Sequence, residues 1–179
     1  MATRATGPVD TTPDIALPGV ILGVGLGGFV DGIMLHQVLQ WHHMLSGTDS
    51  DNIGVRYYPV DTVPGLQMNT MWDGFFHVFT WTAVLVGLAM LYARMSHRRR
   101  SIWTSRALWG WLLVGWGLFN LVEGIVDHHI LSIHHVRGGP YQMWWDIGFL
   151  VLGALLIAGG WLLQRGARRI HTAPARSAA

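Results

Sequence analysis

The sequence predicts an all-α, polytopic membrane protein whose four transmembrane helices form two tandem hairpins, with both termini in the cytoplasm. Half of the 179 residues are hydrophobic. They gather into four runs that each reach the roughly 20 residues a helix needs to cross about 30 Å of hydrocarbon. A one-sided distribution of arginine orients these runs, and a repeated motif pairs them.

The four runs predict the helices in chain order, with short connections between them. The predicted helices cover about residues 15–43, 70–94, 106–134 and 143–164. Together they make up one transmembrane domain, 15–164. A disordered cytoplasmic tail is expected at 1–14, and a basic cytoplasmic tail at 165–179.

All twelve basic residues are arginine, and ten of them lie on one side of the predicted bundle. They flank the termini and the connection between the second and third runs, which contains "HRRR". Only Arg56 and Arg137 lie in the other two connections. Because basic residues stay on the cytoplasmic side, loops 46–69 and 132–143 should face outward from a bacterial cytoplasmic membrane. We therefore interpret the arginine cluster as a topology anchor and expect no nucleic acid as a partner.

The small residues and the absence of cysteine indicate how the helices pack and exclude several kinds of binding site. Gly19, Gly23 and Gly27 recur every four residues in the first run, a stripe that lets helix backbones approach closely. The stretch "GVGLGG" lacks the strand–loop–helix context and the lysine of a phosphate-binding loop. Without Cys, disulfides and thiolate metal ligands are excluded.

The first and third runs contain one motif twice, at a constant offset. "FVDGIMLHQVLQWHHM" and "LVEGIVDHHILSIHHV" align without a gap. The matched pairs are Asp31 with Glu123, Gly32 with Gly124, His36 with His128, His42 with His134, and His43 with His135. "MWDGFFH" and "WWDIGFL" match more weakly in the second and fourth runs, which aligns Asp73 with Asp146. Two parallel repeats, related by an axis along the membrane normal, are therefore expected.

The two repeats differ in chemistry at several aligned positions. The differing pairs are Leu35 with Asp127, Gln37 with His129, and His77 with Leu150. We therefore expect one site, or two different sites, rather than two equal ones.

Twelve side chains of metal-ligand type lie in the outer third of the predicted bundle or just beyond it. An isolated ionised group costs roughly 2.5–3.5 kcal/mol at mid-membrane, so such groups persist where they are paired or bind something. Histidine and carboxylate without cysteine suit iron or copper, with zinc as a further candidate. The number of ligands predicts two or three ions. The candidates are Asp31, His36, His42, His43, Asp73, His77, Glu123, Asp127, His128, His129, His134 and His135.

Helical periodicity assigns these side chains to faces. At 100° per residue, Glu123 and Asp127 belong to one stripe, and His128 belongs to a second stripe about 120° away. Asp73 and His77 are four residues apart and share a face. Asp73 and Asp127 are the candidate catalytic residues, because a carboxylate that does not bind metal could carry protons.

The motifs resemble those of a family of small bacterial four-helix proteins labelled as predicted membrane proteins of unknown function. "FVDGIMLHQVLQWHHMLS", "MWDGFFHVFTW" and "NLVEGIVDHHILSIHHVR" carry the resemblance, which runs from about residue 18 to 164. It implies the four-helix topology but no settled activity. Genes for such proteins can lie near those for haem–copper oxidase assembly, so the resemblance is compatible with a respiratory-chain or copper-handling partner.

Several functions remain open, and the lipid bilayer is a partner in all of them. The first hypothesis is a metal-dependent oxidoreductase, in which iron or copper ions act on a small or lipid-soluble substrate from the outer leaflet. The alternative is capture and delivery of copper or zinc at the outer face, with the loop histidine pairs as an exposed entry funnel. A haem-binding protein and a proton-relay protein are further alternatives, although acidic neighbours disfavour a porphyrin.

Overall fold

The four apolar runs form four long helices in the computed structural model, which describes residues 15–47, 58–97 and 105–172. The helices are α1 (Ala16–Asp31), α2 (Val63–His97), α3 (Ser105–Glu123) and α4 (Gln142–Thr172). With the short extensions of α1 and α3, all are long and apolar enough to cross a membrane. The chain is therefore an all-α membrane protein, and this prediction is confirmed.

Some predicted features fall outside the part of the chain that the structure describes. They include the N-terminal tail at 1–14 and the arginines at 98–100. At the other end, α4 continues to Thr172, into the region predicted as a basic tail.

The two inner helices, α1 and α3, cross at the centre of the bundle. Helix α2 packs against α1, and α4 packs against α3, which gives the spatial order α2–α1–α3–α4. This is the arrangement of two tandem hairpins that the repeat predicts.

Glycines set the distance between the packed helices. A Cβ atom on Gly23 would lie 2.8 Å from the Cα of Gly115, its counterpart in the repeat. A Cβ atom on Gly25 would lie 2.8 Å from the carbonyl oxygen of Thr80 on α2. No larger residue fits at these positions without displacing backbone, so the glycine stripe allows the close approach expected for small residues in membrane helices.

Both inner helices continue as a π-helical segment, Gly32–Val38 after α1 and Gly124–Ile130 after α3. In these segments backbone hydrogen bonds reach five residues back, as from Leu39 N to Met34 O at 2.8 Å. The wider turn brings residues five apart onto one face. Short π segments of this kind are frequent at functional sites.

The chain leaves both inner helices through the same kind of turn. Gln40 and Ser132, which are equivalent in the repeat, both have a φ of 49°, a left-handed conformation uncommon outside glycine. The helical segments therefore end at Val38 and Ile130, several residues before the predicted ends near 43 and 134. The histidine pairs of the motif lie beyond these ends, in loops.

The loops fold back over the ends of the helices. After the first turn, strand β1 (His42–His43) pairs antiparallel with β2 (Ser46–Gly47). The Ser46 hydroxyl donates a hydrogen bond to Asn69 Oδ1 on α2 at 3.0 Å. This contact ties the short hairpin to the bundle and holds the histidines against its end.

Candidate metal centre

The acids and histidines of the repeated motif meet at one end of the bundle. His36 Nε2 lies 3.2 Å from Asp31 Oδ2, and His128 Nε2 lies 3.1 Å from Glu123 Oε1. Each acid ends an α-helix, and each histidine follows five residues later in the π segment. The structure therefore places Glu123 beside His128, whereas α-helical periodicity assigns them to separate stripes.

His42 and His134 complete the cluster from the loops. Their rings stack with centroids 4.5 Å apart and planes 6° apart. His134 Nε2 lies 3.3 Å from Glu123 Oε1, and the centroid of the His42 ring lies 4.6 Å from that of His36. The two halves of the molecule thus contribute to one cluster.

Two groups of three ligand atoms among the described residues have separations suited to metal binding. The first group is Asp31, His36 and His42, and the second is His42, Glu123 and His134. Within each group all candidate ligand atoms lie within 4.8 Å of one another. Zinc, for example, binds imidazole nitrogen and carboxylate oxygen at about 2.0–2.2 Å, so small side-chain movements close each group on an ion. His42 belongs to both groups, which makes the two candidate ion positions neighbours.

Several buried polar atoms of this cluster have no hydrogen-bond partner in the described part of the chain. They include both carboxylate oxygens of Asp31, Nε2 of His36 and His42, and Oε2 of Glu123. All four side chains are at most 8% exposed. An unsatisfied buried polar atom costs about 1–3 kcal/mol, and more if charged. A cation that accepts these lone pairs would remove the cost, so the donor set fits a metal.

A second layer of carboxylates faces the histidines of the π segments, without hydrogen-bond alignment in the described ranges. His36 Nδ1 lies 3.1 Å from Asp73 Oδ1, and His128 Nδ1 lies 3.4 Å from Asp146 Oδ1. Metal-binding histidines usually direct their second ring nitrogen at such an acceptor, which orients the ring and fixes its tautomer. Both rings thereby direct Nε2 at the acids of the cluster.

The loop histidines have backbone partners instead. His42 Nδ1 lies 2.9 Å from the carbonyl oxygen of Val136, and the backbone of Met44 is a hydrogen-bond partner of His134. A carbonyl can only accept, so His42 Nδ1 carries the proton and Nε2 keeps its lone pair. Burial, reinforced by neighbouring histidines, lowers the pKa of His42 and of His134 to about 3. Both rings are therefore neutral at pH 7, which is the form that binds metals.

Asp73 is engaged on both of its oxygens. Oδ1 accepts a hydrogen bond from Met44 N at 2.9 Å in addition to facing His36. Oδ2 lies 2.6 Å from His43 Nδ1 and accepts a hydrogen bond from Gln37 Nε2 at 3.3 Å. Asp73, expected from the sequence as a ligand or a proton carrier, therefore lies behind the cluster, where it orients two histidines.

Asp146 occupies the same place in the second half and was missed among the sequence-derived site residues. Its Oδ2 lies 2.6 Å from His135 Nδ1, and its Oδ1 accepts a hydrogen bond from Val136 N at 3.0 Å. The signal that could have identified it is its alignment with Asp73 in the weaker of the two repeated motifs.

Three further candidates lie outside both ligand groups. His77 Nδ1 lies 2.7 Å from the Asp73 carbonyl of its own helix, His129 is exposed, and Asp127 is half-buried in the π segment. None of them belongs to either ligand group found in the described ranges. The ligand candidates that the structure brings together are Asp31, His36, His42, Glu123, His128 and His134.

These features define a class: a four-helix membrane protein with a buried carboxylate–imidazole cluster at one end of its transmembrane bundle. The chain belongs to the family described as "Predicted membrane protein (DUF2243)", which it matches over residues 18–167. The match includes all six ligand candidates and confirms the resemblance that the motifs carry. No curated protein and no solved structure matches the chain.

Proposed function

We propose that this protein is a membrane metalloprotein that holds two transition-metal ions near the extracytoplasmic face of the bacterial cytoplasmic membrane. The observation that carries the proposal is the pair of ligand groups that share His42. Their buried oxygen and nitrogen atoms lack hydrogen-bond partners among the described residues. The orientation follows from the arginines, because Arg94, Arg106 and Arg165 lie toward the opposite end of the helices.

Iron and copper are the ions that we favour. Imidazole suits both metals, and the carboxylates Asp31 and Glu123 add a preference for iron. The carboxylates also offset the charge of the ions where the surroundings are apolar. Zinc binds the same donors, so it belongs in any metal analysis.

The activity that we propose is that of a metal-dependent oxidoreductase. Asp31, His36, His42, Glu123 and His134 would hold the ions, and a bound pair of iron or copper ions would supply redox chemistry toward a small or lipid-soluble substrate. The side chains of this protein hold the ions, orient them and exclude water. Asp127 lies outside both ligand groups and precedes His128 in the chain, so we propose it as the residue that carries protons.

Capture and delivery of copper or zinc is the second candidate, together with a copper-handling partner. It requires ligands that a partner can reach. His42 and His43 are 0% and 5% exposed, and His134 and His135 are 1% and 9% exposed. The loop histidines are therefore not an exposed entry funnel, and their burial favours a resident centre.

Haem and a metal-free proton relay fit the geometry less well. A porphyrin held between His36 and His128 would have to displace the rings of His42 and His134, which lie against them. A hydrogen-bonded relay would satisfy its own buried groups. Asp31 Oδ2 instead lies 3.2 Å from His36 Nε2 without hydrogen-bond alignment, and Oδ1 has no hydrogen bond in the described part of the chain.

Metal analysis of untagged protein purified in detergent tests the proposal. Elemental mass spectrometry is expected to find two equivalents of iron or copper per chain. His36→Ala and Glu123→Ala should each lose bound metal, because each removes a donor from a ligand group. His128→Ala should lose it as well, because His128 Nε2 lies 3.1 Å from the ligand atom Glu123 Oε1. The matched control is His129→Ala, which removes an exposed histidine next to His128. Metal content unchanged in all three variants, or no metal after reconstitution with iron, copper and zinc, would contradict the proposal.

A further inference from the structure

An apolar pocket of about 320 Å³ lies beside the metal centre. Residues of α1, α3 and α4 line it, so it lies between the two hairpins. Its volume is at the lower end of the range for sites that bind small organic molecules. Such sites are typically apolar with a few polar groups that orient the ligand, and this pocket has the same composition.

Two polar side chains, Asp31 and Asn120, line the pocket. They are only 4% and 2% exposed. Asp31 also belongs to the first ligand group, and neither of its oxygens has a hydrogen-bond partner among the described residues. The pocket therefore reaches the metal centre at Asp31.

Aromatic side chains close the outer end of the pocket. Trp41 and Trp145 line it, with ring centroids 5.1 Å apart. The guanidinium carbon of Arg137 lies 5.1 Å from the centroid of Trp41 and 5.6 Å from that of Trp145, within the range of cation–π attraction. This cap separates the pocket from the aqueous loops.

The remaining rim faces the side of the bundle, where lipid lies. Val30, Met34 and Leu152 line the pocket and are 43–47% exposed. All three belong to segments long and apolar enough to span the membrane. A ligand would therefore enter from the bilayer rather than from water.

The corresponding space in the first half is occupied by aromatic side chains. Gly27, which lines the pocket, aligns with Phe119, and Gly148 aligns with Phe75. Phe119 is buried and packs against Phe76, with ring centroids 6.0 Å apart. The pocket thus lies on one side of the repeat axis, between the hairpins, where Gly27 stands in place of a buried phenylalanine.

We propose that this pocket binds a lipid-soluble ring compound of the quinone class, with a carbonyl or hydroxyl group directed at Asn120 and Asp31. The Asn120 amide can donate to a carbonyl and accept from a hydroxyl, and the Asp31 carboxylate can accept from a hydroxyl. Tryptophan faces suit a flat ring, and a tail on the ring extends past Val30 and Leu152 into lipid. The assignment of this pocket as the substrate site of the metal centre rests on the proposed function.

A lipid acyl chain is the competing occupant, and the polar end of the pocket argues against it. An acyl chain would place methylene groups against Asp31 and Asn120. Asp31 faces His36 at 3.2 Å and is a proposed metal ligand, so the difference rests on Asn120, whose amide would face only methylene groups on its pocket side. A ring with an oxygen substituent supplies a hydrogen-bond partner for that amide.

The variant Gly148→Phe tests the pocket by copying the residue of the first half. Nothing lies within 4 Å of a Cβ added at Gly148, so the backbone tolerates the change, and because Gly148 lines the pocket the added ring competes with a ligand for the pocket's rim. Gly159→Phe is the matched control, since Gly159 lies on the same helix, has equal space and does not line the pocket. Decylubiquinone binding to protein in lipid nanodiscs is followed by quenching of tryptophan fluorescence. We expect Gly148→Phe to raise the Kd at least tenfold, and Gly159→Phe to leave it unchanged.

Metal content measured on the same samples separates this inference from the proposed function. Quinone binding that depends on Gly148 in protein without metal would retain the pocket and refute the metal centre. Full metal content with no quinone binding, or with equal binding by wild type and Gly148→Phe, would refute the pocket. A photoactivatable phospholipid is added as a competing ligand. If it crosslinks to peptides containing Asn120 and decylubiquinone does not displace it, the occupant is an acyl chain and the quinone proposal is refuted.

Discussion

The two hairpins share a backbone plan but differ in the side chains around the cluster. Both inner helices end in an acid, pass into a π segment and leave through a residue with a φ of 49°. Both outer helices supply an aspartate, Asp73 or Asp146, that faces a histidine. Everything that the proposed metal centre needs is therefore present twice.

The differences lie at the edges of the cluster. Asp127 of the second half aligns with Leu35 of the first. Gly27 of the first half, which lines the pocket, aligns with Phe119 of the second. These positions decide where a proton or a substrate can approach. In the proposed function, both halves supply ligands to the metal centre, with His42 shared between the two ligand groups, and the substrate approaches from one side.

The largest expected effect comes from the histidine that both ligand groups share. His42→Ala should lose both metal equivalents, because His42 contributes to both groups. His134→Ala should lose about one, because His134 contributes only to the second group. Elemental analysis of the two variants, purified side by side, measures the difference. Equal loss from both would show that the two loop histidines are equivalent and that the centre is symmetric.

Substitution of Asp73 and Asp146, the aspartates of the two outer helices, is the next test of the comparison. Asp73→Asn and Asp146→Asn should each weaken metal binding by about 10–100-fold, as is typical for residues that orient metal-bound histidines. The effect of Asp73→Asn should be the larger, since Asp73 lies closer to its histidine, 3.1 Å against 3.4 Å. Asp73 also accepts a further hydrogen bond from Gln37.

Competition with a chelator of known affinity measures these losses. Asn retains the shape of Asp and one acceptor oxygen, so a large loss would report on the charge and on the second oxygen. Unchanged affinity in both variants would mean that the aspartates hold the loops in place and do not tune the metal.

The fold was predictable from the sequence because the bilayer imposes simple requirements. Each span must be long and apolar; the assignment of the arginine-rich end to the cytoplasm stays a prediction. The constant offset between the two motifs predicts the hairpin repeat, as the pairing of Gly23 with Gly115 at the crossing illustrates. The composition of the site was also predictable, because ionisable residues in a membrane need a partner.

The internal geometry of the site was not predictable in the same way. A π segment changes which residues share a face, and nothing in "VEGIVDHH" separates it from an ordinary helix. The angular assignment therefore divides Glu123 from His128, which lie 3.1 Å apart. Some loop histidines join the cluster, and others contact Asp73 or Asp146. Which of the two a histidine does depends on loops that extend from one half to the other. The contact of His42 with the Val136 carbonyl joins residues that no local pattern connects.

The smallest expected effect on the centre is that of Asp127→Leu, which gives the second half the residue of the first. Asp127 is half-buried and belongs to neither ligand group, so metal content should be unchanged. Thermal stability in detergent should be equal or higher, because an ionisable group is removed from a membrane-spanning segment, where it costs roughly 2.5–3.5 kcal/mol at the mid-plane. Glu123→Gln, an acid one helical turn away, serves as the positive control and should lose metal. If Asp127→Leu also loses metal, Asp127 is a ligand, and the asymmetry between the halves lies in the metal centre itself. If metal is retained, Asp127 is not a ligand, as its proposed role as a proton carrier requires.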